Sequence, residues 1–207
     1  MVMETCILNG TSADSLTHAV RILFEGGLVA FPTDTVYGLG AVVSNQQAID
    51  QLYVVKGRDT SKAIAVLVGD AKAVVQVAGE MNEQARNLSR IFWPGPLTLV
   101  VPANPDLPGN LSPSPYIGIR MPDHPVALQL LRLSGPLAVT SANSSGMPDS
   151  STAQQVYDQL GGRIPLILDG GKTPGGEPST VVDCTKNELI ILRKGPISSD
   201  QLKEAMF

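Results

Sequence analysis

This 207-residue chain has only two cysteines, two histidines and one tryptophan, few of the side chains that announce metal sites, disulfide frameworks or base-stacking surfaces. Cys6 and Cys184 lie far apart, so neither a disulfide framework nor a zinc ligand set is visible, and His18 and His124 are equally isolated. Aromatic residues make up 4% of the chain, which argues against a surface that stacks nucleobases. No signal peptide opens the sequence and no apolar run is long enough to span a bilayer, so a cytoplasmic protein with no membrane partner is expected. There is no Walker phosphate loop, and no GxGxxG follows a strand, so any nucleotide must be held by side chains. A net charge of −4 argues against broad nonspecific nucleic-acid binding, although an acidic protein can still carry a local basic cleft.

What is present is enough for a core: 43% of residues are hydrophobic and 16% charged. Strand and helix patterns mix throughout, with no internal repeat and no linker, which predicts a single α/β domain over 1–207. Short apolar runs predict strands at 5–10, 28–31, 63–68, 97–101, 117–121, 137–139, 165–168, 181–184 and 188–192. Helical spacing predicts a helix from Thr11 with Leu16, Ala19, Val20, Leu23 and Phe24 inward. A second opens on a capping box of Ser44 and Gln47, and others cover 71–78 and 82–92, the latter with a stripe of Ala85, Leu88, Ile91 and Phe92. Further helices are expected from Asp123, from a Ser151/Gln154 capping box with Val156, Tyr157 and Leu160 inward, and from Ser198. The segment 102–116 reads as a loop of the length that often serves a site, and 170–178 as a glycine-rich loop.

Polar residues gather where apolar strands stop. The run Leu28 to Phe31 halts at Pro32 and delivers Thr33-Asp34-Thr35; a later strand delivers Ser141-Ala142-Asn143, another ends at Arg193-Lys194, and Ser179-Thr180 enters one. In open α/β sheets ligands gather at strand ends. Hydroxyls and an amide can orient a small zwitterion or a ribose, while Lys56, Arg58, Lys62, Arg120 and Arg193 can neutralise phosphates. Arg120 interrupts the otherwise apolar run Ile117 to Met121, which a ligand contact and a buried structural ion pair explain equally well.

Taken together and in order, FPTDTVYGLG, KGR, WPGPLTLVV, IGIRMPDHP, LAVTSAN, STVVD and LRKG resemble the YrdC/TsaC family of threonylcarbamoyl-AMP synthases, over roughly Ala19 to Gly195. The resemblance implies a twisted mixed sheet with surrounding helices and a concave cationic cleft, in the short form that has the catalytic domain only. It implies a nucleotidyltransferase that joins L-threonine, bicarbonate and ATP, with Mg2+ accompanying the phosphates, into threonylcarbamoyl-AMP and pyrophosphate. The product would pass to partner proteins that modify the adenosine beside a tRNA anticodon; direct contact with tRNA stays open. Carried over by residue, Thr35, Arg120, Ser141, Ser179 and Thr180 would meet threonine. Lys56 and Arg58 would form the catalytic clamp on the triphosphate, with Lys62, Asn143, Ser151 and Arg193 as further ATP contacts and no protein metal ligand. The chain departs from the family pattern at Asp59 and Ala63, where prolines are usual, and at Leu67, where some members have histidine. Two other readings use the same residues: a module that binds structured RNA, and a carbamoyl-transfer domain of the same fold.

Overall fold

The structure is a computed structural model that describes residues 3–174, 176–186 and 188–205. Among the described residues the strands are β1 (Cys6–Asn9), β2 (Val29–Phe31), β3 (Gly38–Val42), β4 (Ala65–Leu67), β5 (Leu97–Pro102), β6 (Tyr116–Arg120), β7 (Leu137–Ser141), β8 (Leu166–Asp169), β9 (Thr180–Asp183) and β10 (Ile190–Arg193). The helices are α1 (Ala13–Phe24), α2 (Gln46–Lys56), α3 (Val74–Val77), α4 (Glu83–Phe92), α5 (Pro125–Ser134), α6 (Ala153–Leu160) and α7 (Ser199–Glu204). All ten strands join one sheet in the order β1-β8-β2-β3-β7-β4-β6-β5-β9-β10. Four pairs are parallel (β1 with β8, β8 with β2, β4 with β6, β5 with β9) and the others antiparallel, so the sheet is mixed, as expected.

Strand β3 was not foreseen. Its sequence GLGAV shows neither alternation nor β-branched enrichment, yet it pairs antiparallel with both β2 and β7 near the middle of the sheet. Burial on both faces removes the alternation that marks a half-exposed strand. Its glycines answer to packing: a Cβ on Gly38 would come within 2.8 Å of Val139 Cγ1.

Side-chain alternation divides the sheet into two apolar layers. On one face Leu97, Leu99 and Val101 of β5 join Ile49 and Leu52 of α2 and Leu88 of α4 in the larger core. On the other, Leu16 and Leu23 of α1 and Leu130 of α5 cover Val29, Phe31, Leu137 and Leu168. That second layer stops short of β5 and β6, and the open remainder of the face is where the cavity described below lies.

Several local expectations need correction. The cap of α2 is Asn45, whose side chain accepts from Ala48 N at 3.0 Å, and not Ser44. α6 begins one residue later than expected, on Thr152. α5 is capped by His124 rather than Asp123. Three residues placed on apolar stripes point outward: Phe24, Ile91 and Tyr157 are 63%, 58% and 42% exposed. Each lies at the edge of its stripe, where periodicity alone cannot decide burial. The loop 102–116 is tied down onto α2: Asn110 Nδ2 donates to Asp50 Oδ1 at 2.7 Å, and Tyr53 Oη donates to the Asn110 carbonyl at 3.1 Å. Within the glycine-rich loop, Gly175 lies outside the described residues. Among the described residues no helix is long and apolar enough to cross a membrane.

The corrected cap yields a test. Asn45→Ala is expected to destabilise the protein by about 1 kcal/mol in denaturant unfolding, and Ser44→Ala by well under half of that.

Candidate active site

A cavity of about 360 Å³ opens on the uncovered face of the sheet. Its floor comes from alternate residues of neighbouring strands: Ala65 and Leu67, Gly118 and Arg120, Thr98 and Val100. The small side chains at 65 and 118 keep it deep. Its walls are Thr33 and residues 35–38, Arg58 with Ala63 and Ile64, Ser141 at the end of β7, Asp149, and Pro178-Ser179 with Arg193.

At one end the guanidinium of Arg120 is buried between two segments remote from β6 in sequence. Its Nε donates to the Gly95 carbonyl at 3.0 Å, Nη1 donates to Thr35 Oγ1 at 3.0 Å, and Nη2 pairs with Asp34 Oδ1. Burial pulls the Arg120 pKa below its ordinary value, and Asp34 opposes that shift. Thr33 Oγ1 donates to the Val36 carbonyl at 2.7 Å and accepts from Thr35 N at 3.2 Å, which folds the loop after β2 into a tight polar turn. Tyr37, fully buried behind it, donates to the Gly171 carbonyl at 2.8 Å; burial pushes its pKa up to about 12, so it stays a neutral donor. The imidazole of His124 lies near Asp34, and burial lowers its pKa against the raising effect of Asp34 and Asp123.

At the other end, cations are held mainly by carbonyl oxygens. The buried Lys56 ammonium donates to Asn143 O at 2.6 Å, to Asn143 Oδ1 at 2.9 Å and to the Ser141 carbonyl. Burial first, and then Arg58, lower the Lys56 pKa to about 8, with Asp149 pulling the other way. Gly57 ends α2 in the left-handed conformation, φ 62°, which turns the chain so that Arg58 reaches the cavity. Arg58 Nη2 donates to the Ala63 carbonyl at 2.9 Å. Arg193 grips Ser179 twice through Nη2, at the carbonyl (2.8 Å) and at Oγ (3.0 Å), and Ser179 Oγ lies 2.7 Å from Thr98 Oγ1. Gly195 packs against this segment so closely that a Cβ would sit 2.4 Å from Thr180 N.

Comparison with known proteins bears directly on this cavity. The sequence model of the Sua5/YciO/YrdC family, described as "Telomere recombination", matches residues 21–195, and so takes in every element that lines it. The chain belongs to the Sua5/YciO/YrdC family. It is 42% identical over 199 residues to the threonylcarbamoyl-AMP synthase of Bacillus subtilis, covering 93% of this chain and 57% of that one. It is 35% identical over 185 residues to the threonylcarbamoyl-AMP synthase of Vibrio vulnificus, covering 87% of this chain and 98% of that one. The structure of Sua5 from P. abyssi complexed with L-threonine superposes with a TM-score of 0.92 at 34% identity, covering all of this chain and 61% of that one. The chain thus spans somewhat more than half the length of its Bacillus and P. abyssi relatives.

In this Sua5/YciO/YrdC chain, Thr35, Arg58, Arg120, Ser141, Ser179 and Arg193 all line the one cavity. The other residues singled out from sequence do not line it. Lys56 and Asn143 are buried behind the Ser141 wall, bonded to each other. Thr180 is fully buried, its hydroxyl donating to the Ile197 carbonyl at 3.0 Å. Lys62 is exposed. Ser151 lies beside its own helix, its hydroxyl 3.1 Å from Gln155 Oε1. Arg120 forms the buried ion pair that one of its two sequence readings describes, and it also lines the cavity.

Thr98 and Asp149 line the cavity but were not anticipated. A hydroxyl between Leu97 and Leu99 was the signal for Thr98. Asp149 sits in a run of serine, glycine and proline that reads as an ordinary turn.

The lowered Lys56 pKa has a defined consequence. Between about pH 8 and 10.5 the unfolded chain keeps a proton that the folded chain has released, so stability rises with pH across that window. In paired urea titrations at pH 8 and pH 10, wild type is expected to gain stability relative to Lys56→Met.

Proposed function

We propose that this chain is an enzyme that forms an adenylate from ATP, specifically a nucleotidyltransferase converting L-threonine, bicarbonate and ATP into threonylcarbamoyl-AMP, pyrophosphate and water. One observation carries the reading: a single cavity is lined by several hydroxyls, by the ion-paired guanidinium of Arg120 and by the two further guanidiniums of Arg58 and Arg193. An amino acid and a triphosphate can therefore lie side by side. The names of the Bacillus and Vibrio relatives and the threonine complex of P. abyssi Sua5 support it.

On this reading Arg120 takes the threonine carboxylate, with Thr35, Ser141 and Ser179 around the rest of the amino acid. Thr180 serves through the backbone it anchors. Arg58 and Arg193 take the phosphates, making this the family's cationic cleft. Lys56 and Asn143 brace the wall from which Ser141 projects, while Lys62 and Ser151 lie outside it, where a bound nucleotide would reach them.

The threonine nitrogen adds to the carbon of bicarbonate, and water leaves to give a carbamate. A carbamate oxygen then attacks the α-phosphorus of ATP, the bond to the bridging oxygen of the β-phosphate breaks, and pyrophosphate departs. Carbamates decompose readily, so the site's task is to hold the anion against the phosphorus and keep water away. Fixed guanidiniums stabilise charge as it builds on the departing phosphates. Mg2+ would arrive with the nucleotide and neutralise phosphate oxygens. Asp149 is the carboxylate among the cavity-lining residues and suits a hard cation of that kind. We place the reaction in the cytoplasm, with partner proteins drawing off the adenylate to modify tRNA.

Mass-spectrometric detection of threonylcarbamoyl-AMP from purified protein, threonine, bicarbonate and ATP tests the reading. ATP turnover independent of threonine or bicarbonate would refute it. Arg58→Ala is expected to lower threonine-dependent pyrophosphate release by about 100-fold or more while leaving the unfolding midpoint unchanged.

A further inference from the structure

Asp34 does not line the cavity, yet it forms the one buried ion pair among the described residues. Its partner Arg120 leaves β6 at the register position opposite Leu67, on the cavity face. A guanidinium carries five N–H donors in a rigid plane. Three are taken here, by Gly95 O and by Thr35 Oγ1 and Asp34 Oδ1 of the loop after β2, two segments remote in sequence from β6. Three acceptors spread around a planar group fix both its position and its tilt. Two N–H remain, one on each terminal nitrogen.

The second oxygen of Asp34, Oδ2, is buried and has no hydrogen-bond partner. Half-satisfied buried carboxylates are costly, and a pairing needed only for stability is commonly served as well by apolar residues. What the carboxylate does supply is orientation. It holds Nη2 from outside the cavity lining and partly neutralises the cation, so that Arg120 attracts an anion through its two free N–H groups.

We propose that Asp34 is a positioning residue that sets the guanidinium of Arg120 for the carboxylate of the amino-acid substrate. This rests on the reading of the cavity given above and adds a restriction to it. Asp34 acts on the amino-acid half of the site only, because Arg58 and Arg193 are held by other groups, the carbonyls of Ala63 and Ser179.

Calorimetric titration of full-length protein with L-threonine, in the presence of a saturating nonhydrolysable ATP analogue, tests this together with titration of the analogue alone. Asp34→Asn is expected to weaken threonine binding about tenfold, the loss of one charge-assisted hydrogen bond, and to leave affinity for the analogue within about twofold. In an Arg120→Lys background, which already lacks the fork geometry, Asp34→Asn is expected to add less than about twofold. Asp34→Glu, which keeps the charge, is expected to bind threonine within about threefold of wild type and serves if the asparagine variant unfolds. Equal losses for both ligands would overturn the proposal. So would an undiminished effect in the Arg120→Lys background, or a folded Asp34→Glu protein that binds threonine no better than Asp34→Asn. Unchanged threonine affinity in Asp34→Asn removes the positioning role alone. Wild-type protein that binds neither threonine nor the analogue removes the cavity's reading, and the positioning role with it.

Discussion

A cation buried in the face of a sheet must be satisfied from all sides, and Arg120 imposes that requirement on the whole central region. The loop after β2 brings Asp34 and Thr35 to it, and the turn after α4 brings the carbonyl of Gly95. Gly95 is itself fixed, since its N–H donates to the Met121 carbonyl at 2.8 Å, one residue beyond β6. Two stretches far apart in sequence therefore close around one side chain of a third, β6, and the cavity's inner end takes its shape from that closure.

The other cations are treated differently. Lys56, Arg58 and Arg193 are oriented by backbone carbonyls and the Asn143 amide, and none has a carboxylate within salt-bridge distance among the described residues. Carbonyl dipoles fix the direction of a cation without cancelling its charge. The cavity's guanidiniums thus differ in kind: one is ion-paired in place, and among the described residues the two others have no carboxylate partner. Asp149 at the rim moderates that field without pairing to either arginine.

Much of the architecture was legible because its strands are continuous apolar runs that stop at polar loops. Runs such as Ala65–Leu67 and Leu166–Asp169 needed only their length and flanking residues to be recognised. β3 escaped because its glycines respond to neighbours, such as Val139, that sequence spacing cannot reveal. The helix caps were misjudged by one residue in the same way: Ser44 and Asn45, or Ser151 and Thr152, are chemically equivalent as caps, and only backbone geometry chooses between them. For the site, strand ends identified Thr35, Ser141 and Arg193 correctly as neighbours in space. What sequence could not supply was which way a side chain faces. Lys56 and Arg58 are two residues apart, and the left-handed Gly57 between them sends one into the core and the other to the cavity.

That division has a consequence for how such a chain can vary. Lys56 anchors the final turn of α2 to the exit of β7, and Arg58 follows at a fixed angle beyond it. Each residue of an α-helix advances about 100° around the axis. A one-residue insertion or deletion within α2 would therefore either pull the ammonium from its oxygen cage or swing the arginine out of the hollow, whichever end yielded. Length in this helix is held fixed by the two ends it must serve at once, a restraint that applies even to its solvent-facing residues.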